Sequence, residues 1–275
     1  MWNVEPAGGT PRYIHVDTPV HTRYELSEPR TDFANLGAIM MDMDGSSTDT
    51  EKLCLEALRL MVAEARSEPE LRFAREDFPR VIGDSTTNHV RYLIRKYGLE
   101  PEHLDRYITN YYEHYHRVLY DIRDGKIAEK LIVPMPHLRE FLTWARERGI
   151  KLGLVTSSLQ EECDIVMAQV FKEMEVPMAF QEFYDGVISA DAVGEPFLKP
   201  HPNLYVLMRE RLGAPKERSI VIEDSTAGIA AGRIAGMGVF AVPHHATRDH
   251  DFSLANLGVM KRGLAEVREA IERAS

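Results

Sequence analysis

The sequence is short of cysteine, of long apolar runs and of positive charge, and each shortage closes off a class of function. Its two cysteines, Cys54 and Cys163, fall in stretches that read as helical and show neither metal-ligand nor redox spacing. They are expected to be small core residues in a reducing compartment. No apolar run is long enough to span a bilayer, and the N-terminus lacks a basic-then-apolar pattern, so a cytoplasmic protein with no membrane partner is expected. A formal net charge of −10 argues against general affinity for nucleic acid or anionic lipid. Any anionic substrate must therefore meet a local cluster of cations. The 275 residues suffice for one large domain or two smaller ones, and no repeat or low-complexity tract divides them.

What is present centres on Gly37 to Glu51. The apolar run Ala38 to Met41 has strand length and ends abruptly in Asp42, Asp44 and Gly45. Two carboxylates therefore stand at the carboxyl end of a buried strand. Gly45 lets the chain turn, so both can converge on one crevice, and buried like charges call for a counter-ion such as Mg²⁺. Taken alone, Asp-x-Asp-Gly reads equally well as a strand ending in an Asx-rich turn.

Residues 1 to about 32 carry Pro6, Gly8, Gly9, Pro11, Pro19 and Pro29 and no helical period. An extended arm is expected there, packed on the body or partly disordered, with one extra strand around Tyr13, Ile14, Val16 and Val20. Residues 49 to 132 read as helical. Leu53, Leu55, Leu58, Met61 and Val62 mark one amphipathic helix, a second runs from about Ser85 to Tyr97, and a third from Pro101 to about Tyr120. The third carries Tyr107, Tyr111 and Tyr115 at four-residue spacing, an aromatic core stripe or a substrate-facing wall. Glu113, His114 and His116 do not share a helix face, which rejects a metal site there. From Val133 onward strands and helices alternate, the signature of a parallel sheet with helices on both faces. The division expected is an arm (1–32), an α/β core (33–48 and 133–275) and an inserted helical cap (49–132) over the carboxyl ends of the strands.

Three later groups also end strands. Thr156, Ser157 and Ser158 offer hydroxyls and N–H groups at a helix start, suited to a phosphate or to plain helix capping. Lys199 precedes Pro200 and Pro202, where a solvated surface lysine is the ordinary alternative. Glu223 and Asp224 open the small-residue helix Ser225 to Gly232, and in isolation the aspartate reads as an N-cap.

In this order, Asp-x-Asp-Gly, Thr-Ser-Ser, Lys-Pro and Glu-Asp-Ser-x-Ala-Gly resemble the four motifs of the haloacid dehalogenase superfamily of phosphohydrolases. The resemblance runs from Leu36 to about Pro243 and is nearest to the branch with a helical cap, which holds phosphoglycolate-type and sugar-phosphate phosphatases and β-phosphoglucomutase. It implies a Rossmann-like α/β core. It also implies a Mg²⁺-dependent phosphoric monoester hydrolase acting on a small phosphorylated metabolite, a sugar or polyol phosphate, as a monomer or weak homodimer. Carried over position by position, it makes Asp42 the nucleophile that forms an aspartyl-phosphate and Asp44 the general acid, then base. Mg²⁺ would be held by Asp42, the carbonyl of Asp44 and Asp224, with Glu223 as a ligand or as a partner behind the ligands. Lys199 would offset phosphoryl charge, and Thr156 with the N–H of Ser157 would hold one phosphate oxygen. Gly83-Asp84-Ser85 resembles the cap loop that contacts substrate in this branch.

The sequence departs from that pattern in places. Ser46 stands where Thr is frequent, Asn203 where Asp often follows Lys-Pro-x-Pro, and Leu198 where Gly is common. The mutase resembles the phosphatases at every motif but uses a His on the first cap helix and a Lys after the hydroxyl motif, and these places correspond to Cys54 and Leu159. Their absence favours hydrolysis over phosphoryl migration. Asp44 and the Glu223-Asp224 pair speak against haloalkanoate dehalogenation, and the intact motifs speak against a binding module that has lost turnover.

Overall fold

A computed structural model describes residues 2–7, 10–16, 21–74, 77, 81, 86–128 and 130–275. The chain divides into two compact units, Met1–Thr48 with Pro134–Ser275, and Asp49–Val133.

The first unit opens with strands β1 (Trp2–Ala7), β2 (Thr10–Val16) and β3 (Thr22–Glu25), paired antiparallel in that order. Sequence reading suggested one added strand here, and the structure forms three. The prolines that argued against strands fall where a ladder tolerates them: Pro6 lies opposite Pro11, beside a register irregularity at Glu5/Pro6. Val20 lies outside the described residues. Ile14, Val16 and Leu26 are buried in the same cluster as the core. The succeeding segment is tied down by Asp32 N–H to Glu217 O (2.7 Å) and Gly37 N–H to Arg218 O (2.8 Å).

The core sheet is built from β4 (Ala38–Asp42), β5 (Lys151–Val155), β6 (Gly186–Ile188), β7 (Ser219–Glu223), β8 (Gly238–Ala241) and β9 (Gly258–Val259). All pairings are parallel, in the order β9-β8-β7-β4-β5-β6. The central strands are continuous apolar runs because both faces are covered. Ala38 and Met40 point into a cluster with Leu204, Tyr205 and Met208 of one helix (Asn203–Leu212) and Ile229 of another (Thr226–Ile234). The alternating residues Ile39, Met41, Leu152, Leu154, Ile220 and Ile222 are fully buried on the opposite face. The strand Gly258–Val259 escaped sequence reading because two residues carry no period. No helix of the described residues is long and apolar enough to cross a membrane.

The second unit holds α1 (Glu51–Arg66), α2 (Thr86–Tyr97) and α3 (Leu104–Arg123), with α1 and α3 in extensive contact. Tyr107, Tyr111 and Tyr115 are all buried on α3. Buried His114 lies 2.9 Å from a Glu64 oxygen and 2.8 Å from the Arg117 guanidinium. Asp77, fully buried, pairs with Lys96, accepts from the Tyr92 hydroxyl at 2.8 Å and from the Ala74 N–H at 3.1 Å.

Candidate active site

Register places Asp42 opposite Val155, and Met41 opposite Ile222. Strands β4, β5 and β7 therefore finish level, and the loops leaving them meet in one crevice at their carboxyl ends. Asp42 is 8% exposed, Glu223 fully buried and Asp224 4% exposed. The three carboxylates offer oxygens that all lie within 4.8 Å of one another. Lys199 reaches them from the loop before Asn203–Leu212. Its ammonium contacts Asp42 Oδ1, lies 2.7 Å from Glu223 Oε1 and donates to Val155 O at 3.2 Å. All three of its N–H donors are thus committed.

Two glycines let the backbone approach these acids. Gly45 adopts φ +82°, and a Cβ there would overlap the Asp224 carboxylate. A Cβ at Gly228 would overlap Glu223. The turn after β4 is held by Ser47 Oγ donating to Asp42 O at 2.7 Å and by Gly45 N–H to Thr48 O at 2.7 Å.

Glu223 accepts on both oxygens. Oε1 takes Lys199 and the Tyr205 hydroxyl (2.8 Å), and Oε2 takes the N–H groups of Asp224 and Ser225 and the Ser225 hydroxyl, at 3.0 to 3.2 Å. A carboxylate so occupied has little capacity for a further ligand. It acts as the post that aligns Lys199 and the Asp224 turn. Asp224 accepts a side-chain hydrogen bond from Thr247, whose hydroxyl oxygen in turn accepts the His244 N–H at 3.1 Å. This loop comes after β8 and is anchored by Val242 N–H to Glu223 O at 2.7 Å.

On the other side, Thr156 is buried and its Oγ1 accepts the Ser158 N–H at 2.9 Å. Ser158 Oγ donates to Asp44 Oδ2 at 3.2 Å, while Ser157 is exposed. Asp42, Asp44, Thr156, Lys199, Glu223 and Asp224 therefore belong to one connected constellation with Ser157 on its loop. Gly83 and Asp84 lie outside the described residues.

Sequence reading missed Tyr205, Ser158 as the partner of Asp44, and the Thr247–His244 pair. Tyr205 carries no signal that sets it apart from the other residues of its helix, and Thr247 sits in a loop without a strand-end signal of its own. Ser158 was at hand in the Thr-Ser-Ser run, but spacing does not say which hydroxyl turns toward Asp44.

Burial, with Glu223 adding to it, pushes the Asp42 carboxyl well above the usual range, against the pull of Lys199. Burial and Glu223 likewise raise Asp224, to about 8. Burial alone would lower Lys199, but Asp42 and Glu223 outweigh it and raise the ammonium, which stays charged. Three buried acids facing one ammonium leave a surplus of negative charge, and hard oxygen donors at this spacing suit a Mg²⁺-sized dication.

Comparison with known proteins agrees with the geometry. A sequence model of the haloacid dehalogenase-like hydrolases matches residues 39–242. A phosphorylated carbohydrates phosphatase of Thermotoga maritima is 28% identical over 208 residues, 75% of this chain and 85% of its own. Pyrophosphatase PpaX of Halalkalibacterium halodurans is 25% identical over 217 residues, 79% of this chain and 87% of its own. The solved structure of CbbY from Rhodobacter sphaeroides in complex with phosphate shares the fold at a TM-score of 0.62 and 22% identity, over 86% of this chain and 99% of that one. With three of its motifs at strand ends of a parallel sheet, Lys199 on the loop between β6 and Asn203–Leu212 rather than at the strand end expected, and a family match across most of its length, the chain belongs to the haloacid dehalogenase-like hydrolases.

Proposed function

We propose that the protein is a Mg²⁺-dependent phosphatase that hydrolyses a small phosphorylated metabolite, a sugar or polyol phosphate, through an aspartyl-phosphate on Asp42. The observation that carries this reading is the Lys199 ammonium set between Asp42 and Glu223, beside Asp224, at the end of the central strand. Asp42, Asp224 and the carbonyl of Asp44 would hold the cation, which keeps Asp42 ionised and draws charge from the phosphoryl oxygens. An Asp42 oxygen attacks phosphorus as the ester oxygen leaves, and Asp44, steadied by Ser158 at Oδ2, gives that oxygen a proton. Asp44 then takes a proton from the water that attacks the aspartyl-phosphate, releasing phosphate and restoring Asp42. Thr156, whose oxygen already accepts the Ser158 N–H, has its own proton to offer a phosphoryl oxygen, as does the N–H of Ser157. Glu223 fixes Lys199, and Lys199 meets the charge that grows on the equatorial oxygens.

The relatives named for phosphorylated carbohydrates and pyrophosphate support a small phosphate ester or anhydride as substrate. The helical second unit, residues 49–133, is the proposed cap that chooses among them, with Gly83 and Asp84 as proposed substrate contacts. Exposed Leu159 and Cys54, which hydrogen-bonds buried Tyr111, stand where a mutase of this branch carries cations, so hydrolysis is favoured over migration. Phosphate release from p-nitrophenyl phosphate tests the proposal. Wild type should release phosphate with Mg²⁺ and lose most activity in EDTA, and Asp42→Asn should lose at least about 10³-fold. Equal rates for Asp42→Asn and wild type would refute the role of Asp42.

A further inference from the structure

The family match begins at residue 39, yet the segment before it reaches the loop that carries Lys199. Tyr24, on β3, places its hydroxyl 2.8 Å from Nδ1 of His201. The two rings meet edge to face with centroids 5.9 Å apart, and Phe197 makes a second such contact with His201 at 5.9 Å. The imidazole is buried, and the His201 N–H is tied back to Leu198 O at 2.9 Å. Only Pro200 separates His201 from Lys199, and Pro202 comes next, so two of the backbone angles flanking the imidazole are fixed. A turn this stiff passes a displacement of His201 on to Lys199, whose ammonium must reach Asp42 and Glu223 together. Tyr24 is itself firmly placed, because Ile14, Val16 and Leu26 share the buried cluster of Leu204, Tyr205 and Met208.

We propose that Tyr24 is a positioning residue for Lys199, acting through His201. The inference rests on the phosphatase reading above. The strand holds the imidazole, the imidazole holds the turn, and the turn aims the ammonium. Lys199 does most where negative charge on the transferring group is greatest. A loosened ammonium therefore costs transition-state binding more than ground-state binding.

Tyr24→Phe keeps the ring and removes the hydroxyl. The test measures p-nitrophenyl phosphate hydrolysis at saturating Mg²⁺, with inhibition by orthovanadate, which adopts the five-coordinate shape of the transferring group, and by inorganic phosphate. The expected result is a kcat lower by about three- to tenfold with KM changed less than about twofold. The Ki for vanadate should rise by a similar factor while that for phosphate moves little. A merely structural role would shrink the folded fraction and lower the rate at an unchanged vanadate Ki, and that result would overturn the proposal. His201→Leu removes the same hydrogen bond from the opposite partner and must reproduce the vanadate effect, and a wild-type vanadate Ki in that variant also overturns it. Wild-type protein inactive toward phosphate esters would remove the phosphatase reading first, so the two failures are told apart.

Discussion

Thr247 holds Asp224 with a hydroxyl whose oxygen is already engaged by the His244 N–H, so the proton of that hydroxyl is directed at the carboxylate. Partners placed behind a metal ligand orient it, and their loss typically costs about 10- to 100-fold in metal affinity. Under the proposed role of Asp224, Thr247→Val should raise the Mg²⁺ concentration for half-maximal activity by about tenfold or more, with most of kcat recovered at saturating Mg²⁺. A Mg²⁺ titration of the rate checks this. At this scale the candidate nucleophile, acid and acidic pair were legible in the sequence, because each follows an apolar strand with a charge that burial would not tolerate without purpose, whereas Lys199, on a loop eleven residues past its strand, was legible only through the order of the motifs. Their supports were not. Tyr205 and Thr247 are ordinary residues of a helix and a loop, and only folding reveals which carboxylate oxygen each one faces.

Among the elements, the core strands were legible because a strand buried on both faces must be continuously apolar, and Ala38 to Met41 and Ile220 to Ile222 are. The N-terminal meander was not, since its prolines and glycines mimic an unpaired arm and its partner strands are visible only once they pair. In the second unit, α2 owes its place to the buried Asp77, which Lys96 and Tyr92 hold from that helix. Asp77→Ala should strip partners from both and lower the stability of this unit by about 2–3 kcal/mol. Urea unfolding tracked by circular dichroism checks it, against a Lys96→Ala control that leaves the buried acid with the Tyr92 hydroxyl and the Ala74 N–H but no cation and should cost as much or more.

For the whole molecule, the acidic cluster ties stability to pH and, under the proposed Mg²⁺ role, to cation. Burial, with Glu223 beside it, pushes Asp224 up to about 8 in the fold from about 3.8 for an ordinary aspartate, so the folded state holds the extra proton across that window. Its contribution is therefore greatest below about pH 4 and is lost as pH rises toward 8. Melting in EDTA should show this loss between pH 5 and 8 (about three pH units within the window), and Asp224→Asn should reduce it, with Asp42, raised in the same direction, supplying the remainder. Added Mg²⁺ should raise the melting temperature more at pH 8 than at pH 5.5, because at higher pH the cation has no proton to displace.

The pairing of Asp42 with Val155 carries one more consequence. Deleting a single residue between Gly37 and Met41 would leave the strand as greasy as before and able to pair with both neighbours. Yet it would exchange the two sides of the pleat beyond the cut. The Asp42 carboxylate, the proposed nucleophile, would then look into packed hydrocarbon, and a methionine would take its place at the carboxyl end of the sheet. Such a deletion would measure how far reactivity here depends on counting residues along one strand.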